Sequence, residues 1–456
     1  MGVTRDLAEF ATNTSFEDLP VDVVHAAKRD VINLLGVALY SARDPSLKIL
    51  LDHFDAEGGN PRASVWGANY KTTLLNACLA NGYTAHLEDY DDTHFPTVIH
   101  PSAPTIPAAW AIAESAGGRA EPGGLSSSKA RDSSLSGRDL LAAVALGIEV
   151  CCRIGNALHP WHYDEGWHIT GTIGVFGSAV AAGRLRGLSV DQMVAALGTA
   201  GTQAAGVREV FGTMAKAMHA GRAAQAGLLA AELSMRGFTS TTEILEGRRG
   251  IAAVMSPDRD LSRATEGLGS RWEIFQNGLK PYACGVVSHP SIDAAIAMRA
   301  RPGFDPDAIK SIEARVHPLV PELMGRTELK AGLDGKFSVV HTIACGLVDG
   351  AAYPAQFSDA RVADPKLATL RAKVRLVVEP AYGQDESDLT LTLKDGTKLH
   401  EHVEHASGAP QNPMTDARLE EKFLTLATPT LGAAPAKALL AHLWRLDEAK
   451  TVAGLL

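Results

Sequence analysis

The stretch HLEDYDDTHFPTVIHPSAP, His86 to Pro104, sets four carboxylates and three histidines within fifteen residues and then runs into an apolar helix pattern. Imidazoles titrate near neutrality and carboxylates orient them, so this grouping supplies the parts for moving a proton. If the preceding helix continues through Asp92, then Asp89 and Thr93, four apart, share a face, as do His86 and Asp89, three apart. Pro96 then ends that helix, and His100-Pro101-Ser102 opens the next element, making a concave corner. Asp89, Thr93 and His100 have no local partner of opposite charge and read as functional. Asp91, Asp92 and His94 read as a solvated helix end, because charged helix termini are common.

Three further segments carry candidates. GWHITGT places His168 just before a glycine-rich helix, whose start can bind an anion, though a lone histidine there on local grounds more often caps or packs. His159 and His162, in ALHPWHY, read as surface groups. In GTMAKAMHAGRAA, Lys216, His219 and Arg222 recur every three residues on one helical face rich in small residues. A lysine on such a face is costly to bury unless it meets an anion, which points to a substrate carboxylate. Lys280, in QNGLKPYACG, stands where the helical texture gives way to mixed texture, a favoured position for pockets. With neither lysine expected to hold a protein partner, removing either is expected to leave stability unchanged or higher.

Other chemistries lack their parts. The five cysteines, Cys78, Cys151, Cys152, Cys284 and Cys345, form no CxxC pair and read as reduced, buried thiols. An iron–sulfur lyase needs clustered cysteine ligands, so that class is excluded. HEHVEH offers His400, His402 and His405, but nothing completes a zinc site; no metal and no cofactor are expected. Gly171, Gly174 and Gly177 follow G-x-x-G-x-x-G spacing, not the dinucleotide fingerprint, and read as a helix face that admits a close neighbour. There is no G-x-S-x-G elbow.

The elements that must hold these residues change along the chain. A length of 456 residues calls for two or three domains. Helix follows helix up to about residue 268: LPVDVVHAAKRDVINLLGVALY, TTLLNACLANGYTAHL, APTIPAAWAIAESAG, RDLLAAVALGIEVCCRIG. The Gly/Ser-rich 117–137 stretch among them reads as a flexible surface loop. Strand patterns then appear in SIEARVHPLV, KVRLVVEP and DLTLTLKDGTKLHEHVEH, with Asp395-Gly396 as a hairpin turn. The sequence therefore predicts a mostly α protein. A large all-helical domain over 1–268 precedes a smaller α+β domain over 269–404 and a C-terminal helical segment over 405–456. The net charge of −9, without a basic block, argues against nucleic acid as a partner. No signal-peptide pattern opens the chain, Asp6 breaks the myristoylation pattern, and no membrane partner is expected; the reading is cytoplasmic.

Five segments together carry a resemblance: NGYTAHLEDYDDTHFPTVIHPSAP, GWHITGTIGVFGSA, FGTMAKAMHAGRAA, LKPYACGVVSHP and GKFSVVHTIACGLVDG. In this order they resemble the MmgE/PrpD family, which includes 2-methylcitrate dehydratase, cis-aconitate decarboxylase and iminodisuccinate epimerase. The resemblance implies a cofactor-free homodimeric enzyme whose partner is a small di- or tricarboxylate substrate, with a 2-methylcitrate dehydratase-like hydro-lyase as the first expectation and a decarboxylase or epimerase as alternatives. It implies that the 269–404 domain is a lid and that the 405–456 segment packs back on the helical domain. It implies that Asp89, Thr93, His100, His168, Lys216 and Lys280 line the site. His100 or His168 would act as base or acid, Asp89 would orient a histidine, and Thr93, His219 and the two lysines would hold carboxylates. The dehydratases carry an E-W-G-H-P-S-D type segment where this chain reads TVIHPSA. The decarboxylases carry a tyrosine where it reads VHPLVPELMG.

Overall fold

The computed structural model describes residues 2–116 and 135–456. Most of the stretch expected to be a surface loop, 117–137, lies outside the described residues. The chain folds as two compact units. One comprises Met1–Leu87, Asp91–Asn277 and Thr415–Leu456, and the other Glu88–Tyr90 and Gly278–Met414. The borders fall at 277/278 and 414/415, where sequence texture had drawn them at 268/269 and 404/405. The fold is mostly helical, with a mixed sheet in the second unit.

The long helices of the first unit include α1 (Val21–Ser41), α2 (Leu74–Leu87), α3 (Ser102–Ala116), α4 (Gly137–Leu158), α5 (Ile169–Leu185) and α6 (Met214–Met235). Three of the starts have a visible cause. Pro20 precedes α1, a Ser136/Asp139 capping box opens α4, and the Thr213 hydroxyl accepts from the Ala215 amide at the start of α6. By length and apolarity α4 resembles a membrane span, yet its apolar stretch is buried inside the unit. It also carries Glu149 and Arg153, fully buried and 2.6 Å apart. Arg153 donates further to the carbonyls of Glu266, Gly267 and Arg271, which satisfies the charge that burial would otherwise penalise. The Asp416–Leu431 helix packs on α1, where Lys422 donates to Asn33 at 2.6 Å.

Small residues let α6 pack closely on α2 and α5. A Cβ at Gly221 would stand 2.4 Å from the Leu79 carbonyl oxygen of α2. One at Gly227 would stand 2.5 Å from the Val175 carbonyl oxygen and the Ala179 nitrogen of α5. Gly174 and Gly177 of α5 serve α3 in the same way, facing Pro104 and Thr105. The G-x-x-G-x-x-G spacing is thus a packing face.

The second unit is a four-stranded sheet covered by helices. β1 (Ile309–Val316) pairs in parallel with β2 (Val374–Val378) and antiparallel with β3 (Ser387–Leu393), which forms a hairpin with β4 (Lys398–Val403) around Asp395-Gly396. The buried side of β1 and β3, including Ile312, Ala314, Leu389 and Leu391, faces the core. α7 (His289–Arg299) packs on β3, β4 and α8 (Val339–Asp349).

Candidate active site

In the first unit, the end of α2 and the starts of α3, α5 and α6 bring four imidazoles and a lysine together. His86 sits in the last turn of α2 and His100 two residues before α3. His168 holds the N-cap position of α5, but its side chain makes no capping bond. Its Nδ1 instead lies 2.9 Å from Nδ1 of His219 on α6. The His86 ring stands 4.7 Å from that of His100 and stacks on that of His168 at 5.5 Å. Lys216, one turn before His219, is buried, with its ammonium 5.4 Å from the Phe211 ring centre. The same ring packs edge-on against His168 at 5.0 Å.

Hydrogen-bond partners limit where these rings can carry their protons. His100 Nδ1 is 2.8 Å from the Asp92 carbonyl, which only accepts, so Nδ1 bears the hydrogen and a neutral ring keeps its lone pair on Nε2. Thr93 Oγ1 lies 3.2 Å from the same nitrogen, and the His100 amide donates to Thr170 at 3.1 Å. Nδ1 to Nδ1 contact between His168 and His219 needs one donor and one acceptor, so the two cannot both be imidazolium. Burial drives the His168 proton affinity well below its ordinary range, and His86, Lys216 and His219 nearby push it the same way. Burial, with His86 and Lys216, brings His219 down to about 4. Both rings are therefore neutral near pH 7, beside a buried ammonium. Such a setting suits an anion whose charge shifts during reaction.

Several sequence expectations change here. α2 stops at Leu87 because Asp89 takes a left-handed φ of 52°, which aspartate tolerates better than most residues. Asp89 and Thr93 therefore share no helical face; Thr93 lies in a short extended segment. Asp91, Asp92 and His94 are not solvated: each is fully buried. Asp91 Oδ2 meets His86 Nδ1 at 2.8 Å, Asp92 accepts from Ser102 at 2.8 Å and Asn277 at 3.1 Å, and His94 bonds Thr97 at 2.8 Å and Glu273 at 3.1 Å. Burial, then the charge of Asp91, raises Asp92 to about 7. The turn from His94 to Ile99 that carries the chain toward His100 holds Val98 at φ 55°, a strained position for a β-branched residue. His162 is not a surface group either; it is fully buried between the Met255 carbonyl and Thr172.

Asp89 and Lys280 belong to the second unit and pair within it. Lys280 Nζ donates to the Asp89 carbonyl at 2.9 Å and its carboxylate at 3.1 Å. Lys280 therefore has a protein counter-charge, contrary to the expectation of a lysine held only by a substrate. Next to it, Lys336 Nζ donates to Glu88 Oε2 at 2.7 Å and the Glu88 carbonyl at 2.8 Å, and Tyr90 donates to the Pro281 carbonyl. Two buried lysines and a tyrosine thus clamp residues 88–90. His400 and His402 share Asp388 on the exposed face of the β3–β4 hairpin.

Sequence reasoning gave no role to His86, Asp91 or Lys336. The available signal for the first two was a histidine in a last helical turn with an aspartate five residues on. His86, Asp91 and His100 offer ligand atoms within 4.8 Å of one another, a spacing that a metal ion could also use.

The N-terminal domain model of the MmgE/PrpD family matches residues 5–264, and its C-terminal domain model matches residues 282–448. The chain belongs to the MmgE/PrpD family and is an enzyme of its lyase type. It is 27% identical to a cis-aconitate decarboxylase of Aspergillus terreus over 93% of this chain and 89% of that protein. To the cis-aconitate decarboxylase of Homo sapiens it is 27% identical, over 93% of this chain and 88% of that one. To that of Mus musculus it is 26% identical, over 98% and 91%.

Proposed function

We propose that this protein removes carbon dioxide from a small unsaturated di- or tricarboxylate of the cis-aconitate class, without a metal or organic cofactor. The observation that carries the reading is the meeting of four imidazoles with a buried lysine in the first unit, in a chain whose relatives include cis-aconitate decarboxylases. The hydro-lyase expectation yields first place to decarboxylation on that account.

Decarboxylation breaks one C–C bond. The electron pair left behind spreads onto a conjugated carboxylate, and one proton must then return to carbon. Lys216 is placed to hold a carboxylate and to gain from its growing charge, so it contributes more in the transition state than in the ground state. Thr93 supplies a hydroxyl for a carboxylate oxygen. His100, with its hydrogen fixed on Nδ1, exchanges a proton at Nε2. Of the neutral His168–His219 pair, the ring whose Nδ1 accepts carries its hydrogen on Nε2 and can donate it without a permanent charge, and the other presents an acceptor. In the second unit, Asp89 orients Lys280, the second cation of the reading.

The test is a panel of cis-aconitate, citrate, 2-methylcitrate and iminodisuccinate, followed by carbon dioxide release and by NMR of the products. Release of carbon dioxide from cis-aconitate supports the reading. Dehydration of 2-methylcitrate without carbon dioxide, or epimerisation of iminodisuccinate alone, replaces it. Turnover should survive dialysis against a chelator, and loss restored by a stoichiometric metal would overturn the cofactor-free part.

A further inference from the structure

We propose that His86, held by Asp91, is a further proton-transfer group of this site, with Asp91 its positioning residue. His86 is 1% exposed and Asp91 fully buried. A carboxylate only accepts, so the 2.8 Å bond from Asp91 Oδ2 puts the His86 hydrogen on Nδ1 and the lone pair on Nε2. That Nε2 is buried and has no hydrogen-bond partner among the described residues. A buried acceptor left so is destabilising, and a donor arriving with the substrate or a proton would remove that cost.

Asp91 is also within reach of a second imidazole, with its Oδ1 3.6 Å from His100 Nδ1. Within the first unit, the titratable groups around His86 include Asp91, His100, His168 and His219, with Lys216 adding its charge to the last two. His86 Nδ1 lies at hydrogen-bond distance from the Asp91 carboxylate. A proton taken up on its Nε2 makes a neutral ion pair with Asp91, whereas a proton on His168 or His219 adds to the positive charge of Lys216. An aspartate that fixes a tautomer and balances an imidazolium is a known working arrangement.

In the proposed reaction the C–C bond breaks and carbon dioxide leaves. Before each turnover the neutral His86 ring takes one solvent proton on Nε2. The electron pair forms a C–H bond with that proton and the ring returns to its neutral Nδ1–H form, so one solvent hydrogen enters each product molecule. This inference rests on the site reading above but not on which acid is the substrate.

The experiment compares wild type with His86→Gln and with Asp91→Asn, an isosteric change that keeps a hydrogen-bonding group while allowing the wrong tautomer. On whichever panel acid the wild type turns over, each variant should lose about 100-fold or more in kcat, the usual size of a proton-transfer contribution. KM and melting temperature should stay near wild type, and the double variant should be no worse than either single one, because the two act as a unit. Near wild-type kcat in either variant overturns the proposal, as does a loss that follows only from unfolding. A readout independent of turnover is the histidine side-chain nitrogen NMR spectrum with and without citrate. The His86 resonances, assigned with His86→Gln, should show an Nδ1–H tautomer and shift on citrate addition; an Nε2–H tautomer, or no shift while other site histidines respond, overturns it. Failure of the panel with a positive NMR result would count against the decarboxylase reading and not against the dyad.

Discussion

At the scale of single residues, the two lysines are predicted to part company. Lys216→Met removes a buried ammonium beside the His168–His219 pair and should lower kcat/KM by roughly 2–4 kcal/mol, typical of losing one charge-stabilising donor. Kinetics on folded variant decide it, and near wild-type kcat/KM would remove Lys216 from the mechanism. Lys280→Met acts first on stability, because Asp89 loses the cation 3.1 Å from its carboxylate. Breaking one side of a buried pair costs about 3–5 kcal/mol, so urea melts should show a clear loss. An unchanged midpoint would mean that the pair contributes nothing. Residue types alone pointed to Lys216 and Lys280 as special, but not to this difference, since the partner of Lys280 lies 191 positions away in the chain. The same distance in sequence hid the buried acids: Asp92 finds Asn277 185 positions on, and a run of charges read locally looks like a solvated helix end.

At the scale of elements, helix identity was legible where period and caps agree, as in α1, α4 and α8, and Asp395-Gly396 marked its hairpin unaided. The end of α2 was not legible. Nothing in LEDYDD forces a stop at Leu87; the left-handed turn at Asp89 is held by Lys280 and its neighbours, which is tertiary information. The glycine face of α5 was readable as packing, though its partners were not. The closeness of α5 and α6 gives a prediction. Gly227→Ala places a methyl 2.5 Å from two backbone atoms of α5, where no flexible side chain can move aside. Overpacking of that kind costs about 1–3 kcal/mol, and because α6 carries Lys216 and His219, activity should fall with it. Thermal melts and assays on the same sample check this; full stability with full activity would show that the helices part without cost.

At the scale of the whole molecule, folding is coupled to pH through buried neutral histidines. Burial brings His162 down to about 4 from 6.5, against the opposing pull of its bond to the Met255 carbonyl. The unfolded chain therefore binds a proton there before the folded one does, so this contribution is fully present above about pH 6.5 and is lost as pH falls toward 4. His162→Gln keeps a donor for Met255 and removes the titration. The stability gap between wild type and this variant should shift in the variant's favour by about 1–2 kcal/mol between pH 7.5 and pH 5. A gap independent of pH would contradict a neutral buried His162. The division into a helical unit and a mixed α+β unit was visible in the change of texture along the chain, whereas the grouping of Glu88–Tyr90 with the second unit was not, because three residues carry no pattern. The central claim concerns the molecule as a catalyst, and its most direct test is cis-aconitate in deuterated water, followed by carbon NMR and carbon dioxide release. The predicted result is one carbon dioxide and one deuterium-bearing product per molecule consumed, at a rate lost in Lys216→Met. Folded protein that leaves cis-aconitate unchanged would contradict it.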